Sequence, residues 1–179
     1  MSQTAPAPQP PAGAQTMPLV VNIQYIKDMS FEVPAAPAIF QQLRTQPNVN
    51  INLDVQARRL EEGQSNYEVV LMVRAEATLG PAPAPGGAPP PGTQTTLFVA
   101  ELAYAGVFAL NNLPENAIEP VLLVECPRIL FPFARNILAD VTRDGGFPPV
   151  LLQPIDFVAL WQQRRQAAAA QAAQPVGHA

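Results

Sequence analysis

Histidine and cysteine are almost missing from this chain, each occurring once in 179 residues, as His178 and Cys126. His178 stands one residue from the end of an Ala/Gln-rich stretch. A His-dependent triad or an imidazole metal site would therefore have to be assembled on a tail with no core to hold it. A lone cysteine gives no internal disulfide framework and fits a reducing compartment. Cys126, before Pro127 at a helix entrance, reads as a buried, inert thiol, because no second Cys or ordered His supports a reactive one. Charge is scarce, at 13%, and its sign is wrong for nucleic acid. Ten Lys plus Arg against 14 Asp plus Glu give a net −4, and no basic run exceeds the pairs Arg58-Arg59 and Arg164-Arg165. No G-x-G-x-x-G or G-x-x-x-x-G-K-[ST] pattern follows a strand, so nucleotide binding has no support. The aliphatic block Val121-Leu122-Leu123-Val124 stops at Glu125, far short of the ~20 residues that span a bilayer. Residues 1–18 have neither the charged n-region nor the apolar h-region of a secretory signal. The expectation is a soluble, cytoplasmic protein without cofactor, metal, nucleic-acid partner or direct membrane insertion.

Proline is the opposite case. The chain has 22, against an ordinary usage of about 5%. Eleven fall in two tracts, residues 1–18 and 81–92. The division that follows is a disordered Pro/Ala/Gln-rich tail over 1–18, one domain over 19–165 interrupted by a Pro/Gly-rich loop at 80–92, and a flexible Ala/Gln-rich tail over 166–179. Without tails and loop ~135 residues remain, a usual size for one domain.

Within that domain four segments read as strands. Val20, Val21, Ile23, Tyr25 and Ile26, interleaved with polar residues, open a β-rich run to Phe31 and Val33 that Pro34 and Pro37 end. Val49, Ile51, Leu53 and Val55 alternate with polar side chains from Asn48 to Gln56, a period of 2 with one face buried and one wet. After a short turn at 61–66, Tyr67–Glu76 forms the next strand, and so short a connection favours antiparallel pairing. Thr95–Leu110 is apolar on both faces, so a partner subunit is expected to cover one of them. The remainder reads as helical. Pro114–Glu125 is a short candidate, irregular or broken at Pro120. From Pro127 the apolar positions 129, 130, 133, 134, 137, 138 and 141 make a wide helical stripe that Gly145-Gly146 stops. A last helix runs from Pro154 to about Ala173, its far end with nothing large to bury.

Scattered carboxylates usually form a solvated face. Asp28 and Glu32, four residues apart on a strand, point to one side about 13 Å apart, too far for a glycosidase-type pair and better suited to a flat acidic docking surface. A binding module is favoured over an enzyme.

Three stretches then become specific: Tyr25–Pro37 (YIKDMSFEVPAAP), Tyr67–Leu71 (YEVVL), and above all Cys126–Arg135 (CPRILFPFAR) with Gly146–Pro149 and Pro154–Phe157. Together they resemble the SecB family of bacterial protein-export chaperones over about residues 19–165. The resemblance implies an α+β fold: a four-stranded antiparallel sheet with helices packed on one side, assembling as a dimer of dimers. It implies an ATP-independent holdase that keeps precursor proteins unfolded in the cytoplasm and delivers them to the motor SecA. The matching positions for SecA docking are Asp28, Glu32, Val99 and Glu101, with Arg164 and Arg165 opening a second SecA contact. The unfolded-client groove would draw on Ile39, Phe40 and Leu43, with Phe131, Phe133, Phe157 and Trp161 lining it or packing behind it. This chain reads Leu43-Arg44-Thr45-Gln46-Pro47 where familiar members place a Trp before Gln-Pro. Two other readings stay open, a same-fold chaperone dedicated to one client such as an antitoxin, and an oligomeric enzyme using the acidic surface.

Overall fold

The structure, a computed structural model, describes residues 17–41, 47–80 and 94–172. Most of the expected N-terminal tail and Pro-rich loop, Leu43, and residues 173–179 lie outside the described residues. Four strands form one antiparallel sheet: β1 (Leu19–Glu32), β2 (Asn48–Arg59), β3 (Asn66–Leu79) and β4 (Thr95–Leu110), in the spatial order β1-β4-β3-β2. The α+β reading and the antiparallel β2–β3 pairing hold. A 3-10 turn, Ala38–Gln41, lies in the connection between β1 and β2.

Strand alternation decides what each face carries. On β4 the even-numbered side chains from Phe98 to Leu110 turn inward, and Phe98, Leu102, Tyr104, Phe108 and Leu110 are buried there. Fully burying such a side chain is worth about 1.5–3 kcal/mol. The odd side, with Val99, Ala103, Val107 and Ala109, is half-buried by small residues. The apolar surface left bare is concentrated instead on β1, an edge strand, where Val21, Ile23, Ile26 and Met29 are exposed. The alternating face of β2 is less buried than its pattern implies. Val55 is buried, Ile51 and Leu53 are intermediate and Val49 is exposed, because β2 is the other edge.

At Pro120 the helical layer is irregular, as expected, but not broken. Helix α1 (Glu115–Pro120) passes into a π-helical turn over Val121–Glu125, which continues directly into α2 (Cys126–Asp144). The Cys126 amide donates five residues back to the Val121 carbonyl. That wider turn accommodates Pro127, which has no N–H to give and whose ring would press on the carbonyl four residues earlier in an ordinary helix. Cys126 is therefore inside a continuous helical stretch and not at a free helix start. Burial, and secondarily the Glu125 carboxylate, push its thiol up to about 12.

Helix α2 lies on β4 where Gly106 allows close approach: a Cβ there would meet the Phe108 ring at 2.7 Å and the Leu130 methyl at 3.0 Å. Its end is a Schellman turn. Gly146, at φ 87°, donates to the Arg143 carbonyl and Phe147 to that of Thr142. The buried Thr142 hydroxyl donates to the Leu138 carbonyl (2.8 Å) and accepts from the Val150 amide (3.0 Å), which ties the following segment to the helix. The last helix, α3, runs Phe157–Ala172 and starts later than Pro154, because the Asp156 carboxylate accepts from the Val158 and Ala159 amides, both at 3.0 Å. It continues past the expected domain boundary at 165.

Candidate functional site

The outer face of the sheet, opposite α2, is built from cross-strand rungs. Pairing in register puts Glu32, Val99, Glu76 and Asn50 on one rung. Ser30, Glu101, Arg74 and Asn52 form the next, and Asp28, Ala103, Met72 and Asp54 the third. Directly opposed residues share a face, so the four positions Asp28, Glu32, Val99 and Glu101 meet on three consecutive rungs. A β-bulge makes this possible. Tyr25 faces outward against Ala105, and simple alternation would then turn Asp28 inward, but the register shifts between Ile26 and Asp28 and resets the phase. Between the second and third rungs lies a groove of about 280 Å³ lined by Asp28, Asn52, Asp54, Met72, Arg74 and Glu101 among others.

The acids of this face are not equivalent. Glu101 is ion-paired with Arg74, whose guanidinium also reaches Glu76 at 3.4 Å. Asp54 is ion-paired with Arg164 of α3. Asp28 and Glu32 are exposed and pair with no cation among the described residues. Arg74 carried no sequence signal as part of the site, since only the register shows that it stands between Glu101 and Asn52.

Further along the same face sits a polar cluster that sequence reading missed. Glu68 on β3 is only 3% exposed, and its carboxylate accepts from Lys27 Nζ at 2.8 Å, from Arg58 Nε at 2.7 Å and from the Tyr25 hydroxyl. Burial pushes this carboxyl up, but the bonds from Lys27, Tyr25 and Arg58 outweigh it and hold it at about 2. In return the bond to Glu68 raises the Tyr25 phenol. One carboxylate thus joins β1, β2 and β3, and Lys27 is the residue that the bulge leaves unpaired. The alternation Tyr-Glu-Val-Val-Leu, with a Glu amid apolar strand residues, was the available signal.

The expected groove residues fall in four places. Ile39 is buried, while Phe40 remains 42% exposed and packs on Phe147 at 5.3 Å between centroids. Phe147 also meets Phe98 (4.9 Å) and Phe31 (6.3 Å), so four phenylalanines cluster around the α2 end. Gly145 is required there, because a Cβ would stand 2.2 Å from the Phe31 ring. Phe131 and Phe157 are buried against each other between α2 and α3, at 5.9 Å. Phe133 is exposed and stacks on Tyr104 at 6.1 Å. Trp161 donates its indole N–H to Glu119 (3.1 Å) and carries the Arg165 guanidinium over its ring at 5.0 Å. Arg164 donates to the Val55 and Leu53 carbonyls, at 3.0 and 3.3 Å, and so covers part of the β2 edge. Among the described residues no group of His, Cys, Asp and Glu is placed to hold a metal, and no helix is long and apolar enough to cross a membrane.

Comparison with known proteins agrees with this architecture. The family model for preprotein translocase subunit SecB matches residues 12–168. The protein-export protein SecB of Acidiphilium cryptum is 66% identical over 152 residues, covering 84% of this chain and 91% of the relative. That of Granulibacter bethesdensis is 63% identical over 165 residues, covering 90% and 89%. Among solved structures, a SecB-like chaperone of Mycobacterium tuberculosis, in complex with a peptide of the HigA1 antitoxin, shares the fold at TM-score 0.58 and 13% identity, covering 77% of this chain and 91% of that one. On the family model and the identity to these relatives, the chain belongs to the SecB family of protein-export chaperones.

Proposed function

We propose that this export chaperone works as an ATP-independent holdase in the cytoplasm, as a tetramer built as a dimer of dimers, and that it passes unfolded precursors to SecA across the outer face of its sheet. The observation that carries the docking assignment is the meeting of Asp28, Glu32, Val99 and Glu101 on three adjacent rungs, with Asp28 and Glu32 uncompensated. Exposed like charges around a half-buried valine suit a basic partner approached by electrostatic steering. Binding only the unfolded form of a client shifts its folding equilibrium by mass action, with no energy source needed. Support for subunit assembly comes from the bare apolar side chains of β1 and Phe133. For the client, the open ring of Phe40, at the rim of the four-phenylalanine cluster, is an apolar contact the fold leaves accessible, next to the buried Ile39. Phe131 and Phe157 serve as core packing between α2 and α3. Arg164 ties α3 to β2 while Arg165 lies over the Trp161 ring of the same helix, and a second SecA contact would use the exposed surface of that helix.

The mycobacterial chaperone bound to an antitoxin peptide matches this chain at 13% identity, whereas protein-export relatives share 44–66% with it, which favours the general export role over a single-client one. The test is the double variant Asp28→Asn, Glu32→Gln. Titrating it with SecA by calorimetry or fluorescence should show several-fold weaker binding at low salt, a difference that shrinks as salt screens the charges. Capture of an unfolded client should be unaffected. Wild-type affinity for SecA at low salt would remove the docking assignment.

A further inference from the structure

We infer that Arg74 is an internal competitor on the docking face, a specificity-determining cation that holds the seat a basic side chain of the partner would take. The inference rests on the reading of the outer face as the docking surface. Arg74 projects from the central strand β3, directly opposite Glu101 in the register, and its guanidinium bonds Glu101 while reaching Glu76 at 3.4 Å. A partner's Arg or Lys could approach Glu101 only by displacing it or by sharing the carboxylate. Fold stability does not account for the arrangement: the Arg74 and Glu101 side chains are 46% and 51% exposed, and ion pairs that open to water contribute little. Position does account for it. Arg74 lines the groove beside Asp28, Asn52 and Met72, at the centre of the three rungs that carry the docking residues.

The consequence concerns charge. Asp28 and Glu32 stand free at the β1 side and attract a basic partner at long range, while Arg74 neutralises the two acids at the centre. Encounter is favoured and tight closure is opposed, so the complex stays exchangeable, as a chaperone that must hand over its client and leave requires. A partner with a dense cationic cluster overcomes the competitor better than one with a single charge, which makes Arg74 a filter on partner choice.

The experiment compares SecA binding by the wild-type full chain, Arg74→Gln and Arg74→Met at ~50 mM and ~500 mM salt, with Asp28→Asn, Glu32→Gln run alongside. Arg74→Met keeps much of the apolar stem, so a packing defect would separate the two Arg74 variants. Client capture and oligomer mass report that both are folded. The expected result is about two- to fivefold tighter SecA binding by both Arg74 variants at low salt, with the gain lost at high salt. Unchanged or weaker binding by the Arg74 variants, while the acidic variants still bind worse, overturns the proposal and leaves the docking face intact. If neither set alters affinity, the docking face itself is wrong and the proposal falls with it.

Discussion

Replacing Glu68 by Gln removes the one charge that Lys27 and Arg58 share across three strands. The loss is not symmetrical. Lys27 and Arg58 are exposed enough to be solvated by water, so the cost is that of the charge-assisted bonds and not of two stranded cations. A destabilisation of about 1–3 kcal/mol follows for Glu68→Gln at neutral pH. The pH dependence has a definite sign. The carboxyl is held at about 2 in the fold against 4.5 in the unfolded chain, so its stabilisation is fully present above pH 4.5 and is lost as pH falls toward 2. Urea midpoints of the two proteins should therefore differ at pH 7 and converge near pH 2. A constant gap over that range would mean that packing, and not charge, holds the cluster. By contrast Cys126 has no such leverage: with its thiol raised to about 12 it is a small apolar side chain at any ordinary pH, as its isolation in the sequence already implied.

At the scale of elements, what was legible depended on whether one period ran unbroken. The stripe of α2 follows from a period of 3.6 kept along the helix, and the limits of β4, Thr95–Leu110, follow from one unbroken apolar run, although its alternation slips at Leu97, where the register with β3 shifts. Along β1 the bulge at Lys27 resets the alternation, so local sequence could not tell which face Asp28 shares with Glu101. Only pairing with β4 fixes that. The π-helical turn was illegible for a related reason, since Pro120 reads as an irregularity and Pro127 as the start of a separate helix until the wider turn between them is seen. The groove residues separated because burial depends on what lies across from each. Phe131 and Phe157 face each other, whereas Phe40 has Phe147 on one side and solvent on the other. Phe31 and Phe147 lie in two of the specific sequence stretches, but nothing local showed that β1 and the turn after α2 bring them into one cluster with Phe40 and Phe98. Phe40→Ala should weaken capture of an unfolded client several-fold while leaving fold and oligomer mass unchanged, since it removes a ring that is only partly buried. A gel-filtration or fluorescence assay with a slow-folding precursor reads this. Equal capture by wild type and variant would place Phe40 among the packing residues alone.

For the whole molecule, the sheet divides its labour by face. One side is covered by α2 and by the aromatic cluster at that helix's end, the other presents the acidic rungs, and the β1 edge leaves apolar side chains in water that a second copy would cover. On the proposed function, separate surfaces for client, docking partner and sister subunit would let the chaperone hold a chain and present it at once, and repeated weak client contacts over several copies would give tight binding without sequence specificity. The most direct test of that account is light scattering on the purified protein, alone and mixed with a slow-folding precursor at one client per tetramer. The account predicts a species of about four times 19.2 kDa that gains the mass of one unfolded client and none of the folded form. A monomer whose mass is unchanged by the unfolded chain would contradict it.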